Sequence, residues 1–271
     1  MRELRYCVAH TLTGRYGTKA REFILDNLLF KYRDISKYTL EIFLNKQIYL
    51  PVSSQFNDPF DAQLLPSSFM QELRKLGATP SRDDFDLHES YVKERLKNYG
   101  IYSLSRKPND ILMWSHYAQS HTGICIGFNE DITHYFCGYD WPIWVMEVLY
   151  ESEHPFKKIL EDLQSKSRFN SVNVFANHCM LGQALLEAAL TIKHESWKYE
   201  NEVRVISEMN GFQSFKSAAI DCVILGMGIS KSDEFTLRSI LSAPEWSHVK
   251  MYRAVRSEAA LALKLIEANV P

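Results

Sequence analysis

The run Trp197-Lys198-Tyr199-Glu200-Asn201-Glu202-Val203-Arg204-Val205-Ile206 reads as one β-strand. Side chains of a strand alternate between faces. One face then carries Trp197, Tyr199, Asn201, Val203 and Val205, a plausible core face. The other carries Lys198, Glu200, Glu202, Arg204 and Ile206, so two carboxylates and a guanidinium share a short ridge. Like and unlike charges at that spacing move carboxylate pKa values in either direction. Such a ridge suits the binding of a cation or the stabilisation of a developing positive charge. A solvated strand face with a Glu–Arg pair is the commoner outcome for the same pattern.

Working outward, the chain has 271 residues, 46% hydrophobic and 24% charged, with a formal net charge of −2. That is long enough for a real core and ordinary for a globular protein. Overall charge gives no argument for nucleic acid, although a local basic patch remains compatible with it. Cysteines stand at 7, 125, 137, 179 and 222, an odd number with no C-x-x-C pair. They read as reduced thiols in a cytoplasmic protein, not as a disulfide framework or a zinc site. Arg2, Glu3 and Arg5 occupy the place of a signal peptide's apolar segment, and no apolar run approaches the roughly 20 residues of a membrane span. The expectation is a single domain over 1–271, with an N-terminal extension at 1–27 and a helical insertion at 68–98 that is interrupted at Ser81 to Asp86 and builds no second core.

Leu28 to Arg33 is predicted as a buried strand ending in polar residues. Ser36 is placed to cap a helix over 37–45, and Gln47 to Leu50 forms a strand stopped by Pro51. Phe56-Asn57-Asp58-Pro59-Phe60-Asp61 combines a fixed proline torsion with Asx-turn residues. It reads as a rigid, polar-walled loop anchored by two phenylalanines, either a capped turn or a binding loop of fixed shape. Tyr102 to Ser105 is a strand, Pro108-Asn109-Asp110 starts a helix, and His121 to Phe128 has strand alternation. His116 and His121 do not share a helix face, which leaves no metal site there. Trp114, His116 and Tyr117 either stack on a planar ligand or pack as ordinary aromatics. Trp144 to Tyr150 reads as a strand, 155–168 and 178–193 as amphipathic helices, Ile220 to Gly226 as an apolar strand, 232–242 as a helix and His248 to Val255 as a strand. Gly226-Met227-Gly228 is too short for a dinucleotide fingerprint. Strands outnumber regular β–α alternations, so the fold class is α+β and not a doubly wound sheet.

Taken in order, Lys31-Tyr32-Arg33, Asn57-Asp58-Pro59-Phe60-Asp61, Ser103-Leu104-Ser105, Met113-Trp114-Ser115-His116-Tyr117 with His121-Thr122-Gly123-Ile124-Cys125, and Trp197 to Arg204 resemble a large bacterial family catalogued as a domain of unknown function. The resemblance spans about residues 28 to 228. More distantly, an early strand with a basic residue, a middle Ser-x-Ser strand and a late Glu-x-Glu are similar to the ADP-ribosyltransferases. That likeness implies a split, partly antiparallel sheet with flanking helices. It implies NAD as substrate, gripped by Lys31 or Arg33 next to Tyr32, with Ser103 or Ser105 supporting the nicotinamide side and Glu202 or Glu200 holding the ribose. Asn57 and Asp58 belong to the neighbouring loop, and Tyr102 or Tyr117 stands in for the family's middle aromatic. The first strand lacks the histidine that many relatives carry.

The implied activity is an NAD-dependent ADP-ribosyltransferase of the bacterial toxin or anti-phage type. Its acceptor would be a protein, RNA or DNA, and an antitoxin or other partner would restrain it. A non-catalytic ligand-binding or scaffold protein of the same fold is the second reading. A metal-dependent nuclease using Glu200, Glu202 and Asp58 or Asp61 is the third, although Arg204 competes with a cation there. Lys31, Ser103 and Glu202 are expected in one cleft, with the loop around Asn57 at its rim. Glu202, fixed by Arg204, is taken as the catalytic carboxylate, and Glu202→Gln is expected to leave stability almost unchanged.

Overall fold

The structure is a computed structural model that describes residues 25, 27–62, 82–138, 142–152 and 178–268. Its strands are β1 (Leu28–Arg33), β2 (Gln47–Leu50), β3 (Gly100–Ser105), β4 (Ile124–Asn129), β5 (Ile143–Glu147), β6 (Leu149–Glu151), β7 (Ile192–His194), β8 (Glu202–Ser207), β9 (Gly211–Ser214), β10 (Ile220–Leu225), β11 (Lys250–Arg256) and β12 (Leu263–Glu267). The helices are α1 (Lys37–Asn45), α2 (Arg82–Asn98), α3 (Ile111–Tyr117), α4 (His178–Thr191) and α5 (Lys231–Leu241). The mixture is α+β, as the sequence pattern predicts. Among the described residues no helix is long and apolar enough to cross a membrane.

Eight strands form one mixed sheet in the order β12-β11-β10-β4-β1-β3-β8-β5. Neighbours are antiparallel except β10 and β11, which run parallel because α5 carries the chain across between them. Pairing is continuous on each side of the middle: β1 matches β4 from Leu28–Asn129 to Arg33–Ile124, and β3 matches β8 from Gly100–Ser207 to Ser105–Glu202. In the middle, β1 and β3 meet in register only at Phe30 and Ser105. The sheet is therefore split between β1 and β3. Two small ribbons, β2 with β9 and β6 with β7, flank it.

Alternation sorts the core into layers. Leu29, Tyr102, Leu104, Val203 and Val205 face one side, where Ile42 and Phe43 of α1 and Leu237 of α5 cover them. On the other side Ile101 and Ile206 are covered by Val92 and Leu96 of α2 and by Leu185, Leu186, Ala189 and Leu190 of α4. Leu28, Phe30 and Tyr32 meet Met113 and Trp114 of α3 on that same side of β1. Fully burying apolar side chains of this size stabilises by about 1.5–3 kcal/mol each before the cost of ordering them.

Several expectations are corrected here. Residues 197–201 are not strand: Glu195–Glu200 is a 3-10 helix, ended by Asn201 with φ 44°, and β8 begins at Glu202. Asparagine tolerates that left-handed conformation better than most residues. The proposed two-faced ridge thus exists only from Glu202 onward, and both of its faces are buried. The interruption at Ser81 to Asp86 is not a break from Arg82, where α2 begins. The α2 segment also contributes to a core cluster of its own. The chain after Leu261, open between strand and helix in the sequence, forms β12 against β11. Gly226 and Gly228 donate to the carbonyls of Gly123 and His121, both at 2.9 Å, a backbone approach that leaves no room for a side chain at Gly226. The helix expected over 155–168, and most of the N-terminal extension, lie outside the described residues.

Candidate functional site

At the split, a cleft of about 270 Å³ opens between β1, β3 and the Phe56–Asp61 loop. Lys31, Tyr32, Asn57, Ser103, Ser105, Tyr117, Glu200 and Glu202 all line it. Each is placed by local structure. Asp110 caps α3 by accepting from the amides of Leu112 and Met113 at 2.9 and 3.1 Å, which sets Tyr117 at the helix end. Ser105 Oγ donates to the Glu200 carbonyl at 2.6 Å and so holds the 3-10 segment against β3. The Glu202 amide donates to Tyr150 Oη at 2.8 Å. Lys31 Nζ reaches across the split and donates to the Ser103 carbonyl at 2.7 Å.

Along the cleft wall, five charged side chains form a closed network, with Asp61, Lys193, Glu200 and Glu202 lining the cleft and Arg204 behind them. Arg204 is fully buried; its Nη2 donates to both Asp61 carboxylate oxygens at 2.7 Å and its Nε donates to Glu202 Oε1 at 2.8 Å. Arg204 Nη1 donates to the Leu190 carbonyl at 2.8 Å, and the Phe56 ring lies 5.7 Å from the guanidinium. Lys193 Nζ lies 2.5 Å from Glu200 Oε2, 3.2 Å from Glu202 Oε2 and 3.3 Å from Asp61 Oδ2. Tyr117 Oη donates to the remaining Glu200 oxygen at 2.5 Å. Three carboxylates and two cations leave the group one negative charge, with Lys31 beside it.

The electrostatics separate the two glutamates. Burial pushes the Glu202 carboxyl up, but Arg204 and Lys193 outweigh it and hold its pKa at about 2. For Glu200, burial dominates, Glu202 repels its charge, and the attraction of Lys193 does not compensate, so its pKa is raised. Burial alone would lower Lys193, yet Glu202, Asp61 and Glu200 together raise it. Lys31 goes the other way: burial, aided by Arg33, lowers its pKa to about 7. Lone-pair capacity also differs. Arg204 and Lys193 take three of the roughly four acceptor sites of Glu202, whereas Lys193 and Tyr117 take two of those of Glu200.

Other predicted residues lie elsewhere. Arg33 faces the opposite side of the split and does not line this cleft. Trp114 is fully buried, with Nε1 donating to the Pro108 carbonyl at 2.9 Å, so it has no free face for a planar ligand. His116 is exposed and bonds Tyr199 Oη at 3.1 Å, outside the cleft lining. Asp58 closes an Asx turn by accepting from the Phe60 amide at 2.9 Å. Of the two phenylalanines expected to anchor that loop, Phe56 packs inward while Phe60 is 72% exposed. Arg204 stands behind Glu202 rather than beside it on a surface. The burial of Glu202, at 4% exposure, removes the premise of a surface or cleft swap on which the expected neutrality of Glu202→Gln for stability rests.

Lys193 is the functional-type residue that the sequence reading missed. It sits in the short strand β7, and nothing in its neighbourhood announces a partner. Asp61 was visible within the turn motif, but its pairing with Arg204 spans 143 residues. The spaces between the three carboxylates are filled by Lys193 and Arg204. Among the described residues no three His, Cys, Asp or Glu side chains converge as metal ligands.

The geometry defines a mixed-sheet α+β protein with a polar cleft at a split and a buried ionic wall. Residues 113–205 match a family described as "Protein of unknown function (DUF2971)". That span runs from α3 into β8, and Lys31-Tyr32-Arg33 and Asn57 to Asp61 lie outside it. No curated protein and no solved structure matches the chain.

Proposed function

We propose that this chain is an NAD-dependent ADP-ribosyltransferase acting on a macromolecular acceptor, in the manner of a bacterial toxin or anti-phage effector. The observation that carries the reading is the meeting of Lys31, Ser103, Glu200 and Glu202 in one cleft at the split of the sheet. Pockets for small ligands span about 300–1,000 Å³. A cleft of about 270 Å³ is of a size for the nicotinamide and its ribose, with the rest of the dinucleotide running outward past Lys31.

Cleavage of the N-glycosidic bond creates positive charge at the ribose. Glu202 is held ionised by Arg204 and Lys193, so its charge is fixed before the reaction and needs no rearrangement. Glu200 keeps acceptor capacity for a sugar hydroxyl, and Tyr117 and Lys193 orient it. Its raised pKa suits it to take a proton from the incoming nucleophile. Lys31 lies on the pyrophosphate side, where a bound phosphate would favour its protonated form, and Asn57 gives a polar rim.

The closed network favours a second reading, a protein of this fold that binds a ligand without transforming it. Its charges are mutually satisfied whether or not a reaction follows. Neither reading draws on a metal, and the carboxylate geometry gives the metal-nuclease reading no support. Calorimetry with NAD, followed by chromatographic detection of nicotinamide, separates the two. Binding with nicotinamide release, and labelled ADP-ribose on a macromolecule in cell extract, is the expected result. Binding without release selects the second reading, and the absence of NAD binding removes the transferase reading.

A further inference from the structure

The α1 side of the split holds a different cavity, of about 550 Å³. It shares Lys31, Pro51 and Gln55 with the carboxylate cleft and is otherwise built from other residues. Alternation along β1 places Lys31 and Arg33 on the side of Leu29, whereas Ser105 and Glu202 are paired on the opposite side.

Arg33 and Lys31 gather at its floor beside Tyr102. Arg33 Nε donates to Thr39 Oγ1 at 3.2 Å, and among the described residues no carboxylate lies within ion-pair distance of its guanidinium. Lys31 Nζ stands 4.7 Å from the centre of the Tyr102 ring. Tyr102 lines the cavity at 3% exposure, and its hydroxyl is buried with no hydrogen-bond partner. A buried hydroxyl left unpaired is costly and uncommon. The lining carboxylate, Glu41, lies 3.7 Å from Lys37, so the Arg33 guanidinium, with Lys31 beside it, leaves the floor positive. At the mouth stand three aromatic rings with large open faces: Tyr38 and Phe212, each 69% exposed, and Tyr49, 41% exposed. Tyr49 and Phe212 support each other edge to face at 5.2 Å.

An anion site below open aromatic faces fits a molecule that joins a phosphate to a planar base. Arginine and neighbouring donors hold phosphate oxygens through charge-assisted bonds, and aromatic side chains stack on bases of any sequence. We propose that this cavity binds a nucleoside 5′-phosphate, with the phosphate on Arg33 and Lys31 and the base against Phe212 and its neighbours. The proposal does not rest on the transferase reading, because it concerns the opposite face of the sheet and needs no turnover.

The test is calorimetry of the full chain with AMP, ribose 5-phosphate and inorganic phosphate, on the wild type and on Arg33→Gln and Phe212→Ala. The wild type is expected to bind AMP saturably, and ribose 5-phosphate and phosphate at least about tenfold more weakly. Arg33→Gln and Phe212→Ala should each weaken AMP about tenfold. Phe212 is 69% exposed, so Phe212→Ala retains the fold and its result stands even where Arg33→Gln misfolds. The proposal is overturned by no AMP binding at millimolar concentration, or by phosphate binding as tightly as AMP. It is equally overturned if AMP affinity ignores these two variants, including where it falls instead in Tyr117→Phe, which would put the nucleotide in the carboxylate cleft.

Discussion

Strands β8 and β10 are both six residues long, both internal to the same sheet, and both almost wholly buried. The interior of β10 is Ile220, Cys222, Val223, Ile224 and Leu225; that of β8 includes Glu202, Arg204 and Ser207. Arg204 and Val223 are each fully buried. Burial therefore says nothing about which strand is special, and the partners do. Any apolar neighbours of the right shape satisfy β10. β8 needs Asp61, Lys193 and the Leu190 carbonyl, each brought from a different loop or element. Buried ion networks give little net stability compared with apolar packing. Their position along the wall of a cleft is what gives this one meaning.

The largest effect should come from removing one charge of that network. Arg204→Met leaves Glu202 and Asp61 buried with Lys193 alone, and breaking a buried pair in this way costs about 3–5 kcal/mol. Ile224→Val, at equal burial in β10, should cost only about 1 kcal/mol. Urea unfolding of the two variants checks the contrast, and equal losses would break the distinction between the strands.

Next comes chemistry. Glu202→Gln should lower NAD turnover by about two to three orders of magnitude, roughly 3–4 kcal/mol in barrier, the scale of losing one preorganised electrostatic contact. Unlike a surface swap, it should also destabilise the fold by about 1–3 kcal/mol, because two buried cations lose a full charge. Nicotinamide release is measured on protein whose near-UV circular dichroism matches the wild type. Full turnover in that variant, with loss in Glu200→Gln alone, would move the charge-stabilising role to Glu200.

The outline of the fold was legible where one physical rule acted alone. Alternation with a proline stop gave β2, a continuous apolar run gave β10, and Asp110 before an apolar run gave the start of α3. The reading failed where two rules competed. Aromatic and charged residues at 197–201 suit a strand, but Asn201 turns the chain left-handed and ends a 3-10 turn there. That turn, not strand alternation, places Glu200 beside Glu202 through Lys193. Of the site, the glutamates, Lys31 and Ser103 were visible as residue types in order along the chain. Lys193 was not, because its role arises from contacts that only the folded β6–β7 ribbon makes. Trp114 misled for a related reason: sequence marks an aromatic but not whether its face is already covered.

The smallest and most discriminating effect is in acid. Glu202 has a folded pKa of about 2, below the usual 4.5, so the stability it contributes is present above about pH 4.5 and is lost as pH falls toward 2. A displacement of that size corresponds to on the order of 3 kcal/mol. Glu200 has the opposite sign. Its folded pKa is raised, so its ionised form is penalised in the fold, and acidification from above that pKa down to about 4.5 relieves the penalty. Together the pair should give a shallow rise in stability on mild acidification and then a fall below about pH 4.5. Glu200→Gln should remove the rise and keep the fall, while Glu202→Gln should do the reverse; β10, whose interior is apolar, should impose neither limb in an Ile224→Val control. Urea midpoints between about pH 7 and about pH 3 measure this. If Glu202→Gln left the acid limb intact, the network would be less ionised than its geometry implies, and the contrast between β8 and β10 would reduce to side-chain shape.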